Sequence, residues 1–305
     1  STFFLIICRA IVYSCKANNS PEFSGLFFLI NEMKIAIQGI KGSFHHIVAL
    51  NYFGPTVDVI ECITFQEIID KLNQKEVERG VMALENSIAG SILPNYALID
   101  DYNMHVIGEY NFSIDHNLMC YKNQTLEDIK EVHSHPMALL QCKEFFNDHD
   151  HIRLVEATDT AKVAQLILKE KLKGVAAIGS KEAAKTYNLN VLSESIQTIN
   201  NNVTRFAILK NNLEPFGKTS YDKASLKFTL DHQRGSLAAV LNVLSDCLLN
   251  LTKIQSLPVI KTPGKYAFFV DVKFEKIDFF QKAVSILKIM ALEFKIIGQY
   301  LEHKN

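Results

Sequence analysis

Four short segments of this chain carry side chains that could do chemistry on a small acid. Gln38-Gly39-Ile40-Lys41-Gly42-Ser43-Phe44 runs from a strand pattern into a helix pattern. Its two glycines let the backbone approach a ligand, and a helix start offers unpaired N–H groups and a positive dipole end to a carboxylate. Glu85-Asn86-Ser87-Ile88-Ala89-Gly90-Ser91 also leaves a strand for a helix, with Asn86 and Ser87 as neutral donors. Asp159-Thr160-Ala161 opens a third helix after a strand. Asn200-Asn201-Asn202-Val203-Thr204-Arg205-Phe206 sets a hydroxyl beside a guanidinium, the group best suited to two-point carboxylate binding. Taken singly, each segment also reads as a plain turn, a capped helix start at Ser91 or Asp159, or a loop with a surface arginine.

Other chemistries find less support. The glycine spacing matches neither a dinucleotide fingerprint nor a P-loop. Strand alternation puts His133 and His135 on one side, but no third metal ligand lies nearby, and His45-His46 is an adjacent pair. No Gly-x-Ser-x-Gly, Cys/His or paired-carboxylate signature stands out. None of the six cysteines (Cys8, Cys15, Cys62, Cys120, Cys142, Cys247) forms a CxxC pair, so they read as reduced thiols of a cytosolic protein. Neither metal nor cofactor is expected.

The elements that must hold these segments alternate. From Met33 the pattern reads strand (Lys34–Gln38), helix (Ser43–Phe53, ended by Gly54), strand (Val57–Cys62), then a helix from Thr64 with Glu67 completing a capping box. Strands follow at Val81–Leu84, Val106–Tyr110, Leu118–Tyr121, Val132–Ser134, Ile152–Glu156, Val175–Ile178 and Val203–Leu209. Helices are expected from Pro136, over Asp159–Lys171 and over Ser180–Tyr187. Strands spaced by helices imply βαβ units and a mostly parallel sheet. About 180 residues is long for one sheet, so two lobes around a cleft are expected.

Composition shifts at Lys210–Asp222, and the rhythm beyond it is strand, helix, two strands, helix, strand. That order, βαββαβ in about 80 residues, is ferredoxin-like. The divisions expected are 1–32, 33–212, 213–223 as linker and 224–305. The apolar islands in 1–32 are far short of the roughly 20 residues that span a bilayer and read as an upstream extension, with an export signal as the alternative. With 32 Lys+Arg against 33 Asp+Glu, no basic tract suggests a nucleic-acid partner. Neither a nucleic-acid partner nor a membrane is expected.

Together, and in this order, the motifs resemble the prephenate dehydratase family. The family opening Gly-Pro-x-Gly-Thr-Phe-Ser stands here as Gly39-Ile40-Lys41-Gly42-Ser43-Phe44-His45. Glu-Asn-Ser-x-x-Gly is intact at Glu85–Gly90, and His135-Pro136-Met137-Ala138-Leu139-Leu140-Gln141-Cys142 matches a further family segment. Asp159-Thr160-Ala161 and Thr204-Arg205-Phe206 complete the set. The C-terminal part looks like an ACT domain, with Gly235-Ser236-Leu237 for Gly-Ala-Leu and Gln255-Ser256-Leu257-Pro258 for Glu-Ser-Arg-Pro.

The resemblance implies an α/β fold: a two-lobed, periplasmic-binding-protein-like catalytic domain with a cleft, then a ferredoxin-like α+β ACT domain. It implies conversion of prephenate to phenylpyruvate with loss of CO2 and water. Thr204 and Arg205 would be catalytic. Gly42, Ser43, Asn86, Ser87, Gly90, Thr160 and Phe206 would line the substrate site. Gly235, Ser236, Leu237, Gln255, Ser256 and Pro258 would bind L-phenylalanine between subunits of a cytoplasmic homodimer or homotetramer. Arogenate dehydratase is the near alternative, and a non-catalytic amino-acid-binding protein the distant one.

Overall fold

The computed structural model describes residues 33–211, 221–259 and 265–303. The expected extension over 1–32 and most of the expected linker lie outside these residues. The first lobe runs β1 (Lys34–Gln38), α1 (Phe44–Phe53), β2 (Asp58–Cys62), α2 (Phe65–Asn73), β3 (Arg79–Asn86), β4 (Gly90–Ser91), α3 (Leu93–Asp101) and β5 (His105–Ser113). The second lobe contains β6 (Asn117–Cys120), β7 (Glu131–Ser134), α4 (Pro136–Gln141), β8 (Arg153–Glu156), α5 (Thr160–Glu170), β9 (Val175–Gly179), α6 (Lys181–Thr186) and β10 (Asn190–Ser193). β11 (Val203–Lys210) returns to the first lobe. The C-terminal part is β12 (Lys223–Thr229), α7 (Ser236–Asp246), β13 (Asn250–Pro258), β14 (Tyr266–Lys273), α8 (Ile277–Met290) and β15 (Glu293–Tyr300).

Helix starts follow their caps. Ser43, Asp159 and Ser180 each accept from the backbone N–H three residues on. Thr64 does the same for Glu67, whose carboxylate reaches back to the N–H of Ile63. Ser91 does not cap α3; it sits in β4, pairs back on Glu85, and the helix starts after Ile92 without a side-chain cap.

The second lobe has its own sheet, ordered β10-β6-β9-β7-β8. The other sheet runs β13-β14-β12-β15-β5-β11-β3-β1-β2 and so spans the first lobe and the C-terminal part. The expectation of mostly parallel pairing is corrected. β1 pairs in parallel with β2 and β3, but β11 is antiparallel to both β3 and β5, and β6 to both β9 and β10. The returning strand β11 inserts between strands whose own connections are helical crossovers, and a strand arriving from another lobe has no reason to share their direction. The βαββαβ expectation holds: β13-β14-β12-β15 is the ferredoxin-like order, all antiparallel.

The seam between the two halves is a single parallel bridge, Gly298 to Val106. A Cβ at Gly298 would lie 2.0 Å from the Val106 carbonyl oxygen, so only glycine permits that approach. Apolar packing does more than this bridge. Ala267, Phe269, Ile297 and Tyr300 share one core with Ile68, Leu72, Met82, Ile99 and Met104 of the first lobe. Each large side chain so buried contributes about 1.5–3 kcal/mol, against about 1 kcal/mol for one hydrogen bond. Among the described residues no helix is long and apolar enough to cross a membrane.

Candidate active site

The chain passes between lobes twice, at 113–115 and 201–203, and the two passages bond through Ile114 N–H to Asn202 O at 2.7 Å. Beside them lies a cavity of about 460 Å³. The first lobe contributes Ser43, His45, Asn86, Thr204 and Phe206 to its wall, and the second contributes His135, Gln141, Asp159 and Thr160. The first turns of α1, α4 and α5 face it, which brings the positive ends of three helices to one space.

Strand alternation decides what β11 shows the cavity. Thr204 and Phe206 face it, and Arg205 between them turns to the opposite side. Thr204 is held by an ordered amide chain. The Asn86 Oδ1 accepts the N–H groups of Ile88 (3.0 Å) and Ala89 (2.9 Å), so the amide can have only one orientation. Its Nδ2 then donates to Thr204 Oγ1 at 2.9 Å and to Asn202 Oδ1 at 2.6 Å. Asn202, fully buried, passes the chain on to Gln141 Oε1 at 3.0 Å. His116 Nε2 lies 2.9 Å from that same oxygen, and since Oε1 can only accept, His116 carries its proton on Nε2. Because Thr204 Oγ1 accepts from Asn86, its own proton is left free, with no acceptor among the described residues.

Burial holds the His116 pKa below its ordinary value against the opposing Gln141 bond, and burial alone lowers His45 to about 3. Both rings are therefore neutral near pH 7. Neither Lys nor Arg lines the cavity among the described residues. An anion bound there meets neutral donors and helix ends, with the Asp159 carboxylate the one acidic group of the wall among the described residues.

The expected role of Arg205 as a carboxylate ligand in the cleft is corrected. Its guanidinium lies 2.8 Å from Asp271 of β14 and 3.4 Å from Glu109 of β5, and it donates to the Tyr96 hydroxyl at 3.1 Å. Lys223 closes the cluster on Glu109 at 2.8 Å. Burial works to lower the Arg205 pKa, but Asp271, Tyr300, Tyr96 and Glu109 outweigh it and hold it well above its ordinary value. Three further expected residues do not line the cavity either. Ser87 Oγ pins the return passage, donating to Asn201 O at 3.1 Å and accepting from Val203 N–H at 3.0 Å. Gly90 lies in β4. Gly42 approaches the other lobe rather than a ligand: a Cβ there would meet Ala183 Cα at 2.8 Å, and its carbonyl accepts from Ser180 at 2.5 Å.

Sequence reasoning missed Asn202, Gln141, His116 and His45. Asn202 and Gln141 lie in segments already singled out, yet only folding brings them together across 61 positions. The expected effector residues fall in two places: Gly235, Ser236 and Leu237 at the start of α7, and Gln255, Ser256 and Pro258 on the edge strand β13. His133 bonds Glu131, while His135 caps α4, and no three His, Cys, Asp or Glu side chains among the described residues cluster as a metal site would require.

The prephenate dehydratase family model matches residues 35–214. Arogenate dehydratase/prephenate dehydratase 2, chloroplastic, of Arabidopsis thaliana is 33% identical over 283 residues, which cover 88% of this chain and 73% of that protein. Prephenate dehydratase of Methanocaldococcus jannaschii is 32% identical over 258 residues, covering 82% of this chain and 90% of its own length. Among solved structures, prephenate dehydratase in complex with L-Phe from Arthrobacter aurescens matches with a TM-score of 0.80, covering 88% of this chain and 90% of that one. At 22% identity that likeness speaks for the fold alone. The motif order, the two-lobed cavity and these matches agree: the chain belongs to the prephenate dehydratase family.

Proposed function

We propose that the cleft converts prephenate to phenylpyruvate, making the chain a carbon–oxygen lyase. The observation that carries this is the free Thr204 proton, held by Asn86 in a cavity that offers several neutral donors and neither Lys nor Arg among the described residues. The bond from the ring carbon to its carboxylate breaks, and CO2 departs. The electron pair it leaves completes the aromatic ring and expels the hydroxyl at the opposite ring position. The departing oxygen takes up one proton and leaves as water, so each turnover consumes one proton. Free hydroxyls are poor acids, so Thr204 acts by a hydrogen bond that strengthens as charge builds on the leaving oxygen. Phe206 walls the ring, and Ser43, Asn86 and Thr160 surround the other oxygens. Aromatisation supplies the drive, and the protein supplies orientation and hydrogen bonds.

The aminated substrate, arogenate, is the second reading, favoured by the double name of the Arabidopsis relative. The C-terminal part serves as an ACT domain that binds L-phenylalanine between paired subunits, at the start of α7 and on β13. Two linked sites of this kind require a homodimer or homotetramer. Substrate and product are small water-soluble acids, which suits the cytoplasmic setting expected from the sequence.

The test is phenylpyruvate formation by purified protein from prephenate, run beside arogenate and with or without phenylalanine. Turnover of prephenate that responds to phenylalanine is the expected result. Turnover of arogenate alone keeps the chemistry and changes the substrate. No turnover of either compound leaves only a binding protein.

A further inference from the structure

His45 stands where the family opening carries a serine, and its surroundings make it a donor of one kind. It lies in the first turn of α1 with a relative exposure of 9%. Its ring meets Phe206 edge-on, with centroids 4.9 Å apart, and lies 5.5 Å from Phe65. Ala83 of β3 lies two residues past Val81, the last residue that β1 pairs, so its N–H has no ladder partner from β1. His45 Nε2 takes that N–H at 3.3 Å, while Asn95 serves the Ala83 carbonyl at 2.7 Å. A backbone N–H can donate only to an unprotonated nitrogen. The neutral ring therefore carries its proton on Nδ1. That nitrogen has no partner among the described residues, and the residue lines the cavity.

We propose that His45 donates its Nδ1–H to an oxygen of the bound acid and so sets part of the substrate affinity. The inference rests on the dehydratase reading and adds a substrate contact that the serine of the family pattern is too short to make in the same way. Both dehydratase substrates carry carboxylates, and the cavity wall offers no Lys or Arg to meet them among the described residues. A neutral N–H fixed by its own backbone partner meets an anion without first having to lose a competing bond. The ring also keeps Phe206 in place, so the same side chain orders the apolar wall and the polar contact.

The test uses His45→Gln in the full chain. The Gln amide oxygen reaches the Nε2 position and still satisfies Ala83, but the Nδ1 donor is gone. Loss of one such bond raises KM about tenfold for prephenate, with kcat changed less than about threefold. Ring-15N histidine NMR on the unaltered protein reads the same point without any variant. A proton on Nδ1, a bare Nε2, and a shift of the Nδ1 signal on adding phenylpyruvate are expected. An unchanged KM in an active His45→Gln enzyme overturns the proposal, as does a proton on Nε2 or a signal blind to phenylpyruvate. If the unaltered chain turns over neither prephenate nor arogenate, the dehydratase reading falls on that result alone, while the NMR result still decides whether His45 meets a bound acid.

Discussion

The two faces of β11 treat charge in opposite ways. On one, Thr204 and Phe206 look into a cavity with neither Lys nor Arg in its wall among the described residues. On the other, Arg205 lies among Glu109, Asp271 and Lys223, all almost wholly buried. One strand, at successive residues, thus separates a reaction space without Lys or Arg from a joint built on ion pairs. Burying a charge is costly unless a partner of fixed position meets it. Behind β11 the protein supplies such partners itself. In the cleft further charge arrives with the substrate, and donors held by neutral bonds wait for it with neither Lys nor Arg beside them among the described residues.

The largest effect that would break this comparison is expected behind the strand. Arg205→Leu leaves Glu109 and Asp271 short of a cation and should cost about 3–5 kcal/mol of stability in urea unfolding. If that variant stays stable and instead loses substrate affinity, the guanidinium reaches the cleft after all. Next is Thr204→Val, which keeps volume and removes the hydroxyl. A fall in kcat of about 10²–10³ is expected with only a minor shift in the urea midpoint. Near-native kcat would remove Thr204 from the chemistry.

Acid sharpens the contrast with a smaller effect. The His45 pKa is depressed to about 3, so between pH 6.5 and 3 the unfolded chain binds a proton that the native chain refuses. Stability therefore falls as pH drops through that window, by about 2 kcal/mol for this residue at pH 5. Thermal melts at pH 7 and 5 should show it, and His45→Gln should recover most of this share. The smallest effect belongs to Lys253 of β13, which holds Glu85 at 2.5 Å and Ser91 at 2.6 Å. Lys253→Met should cost no more than about 1 kcal/mol, because the pair is partly exposed. A changed response of prephenate turnover to phenylalanine in that variant would tie β13 to Glu85 and its neighbour Asn86.

Local chemistry makes much of this legible in the sequence. Ser43, Thr64, Asp159 and Ser180 start helices because a side-chain oxygen next to an apolar period has one efficient use there. Ser91 misled because the same residue type also suits a tight antiparallel return, and β4 takes it. Arg205 misled for a different reason. Period-two alternation already separates it from Thr204 and Phe206, but a guanidinium beside a hydroxyl suggests a shared ligand when read as a motif. Gly42 marks a close approach by its residue type, but residue type does not say whether a ligand or Ala183 occupies the space. The amide chain through Asn202 and Gln141, and the Gly298–Val106 seam, depend on positions 61 and 192 residues apart, beyond any local signal.

The shared core across that seam also sets an order of events at the ribosome. Ile68, Met82, Ile99 and Met104 are made first, yet Phe269, Ile297 and Tyr300, which pack in the same core, follow only after a long stretch of further chain. β11 ends at Lys210 and β15 ends at Tyr300, a delay of 90 residues. At about 5–20 residues per second, part of the nascent core stays wet for roughly 5–20 s. During that interval this apolar face is a natural client for holding chaperones, and a premature stop ahead of Phe269 would leave it uncovered for good.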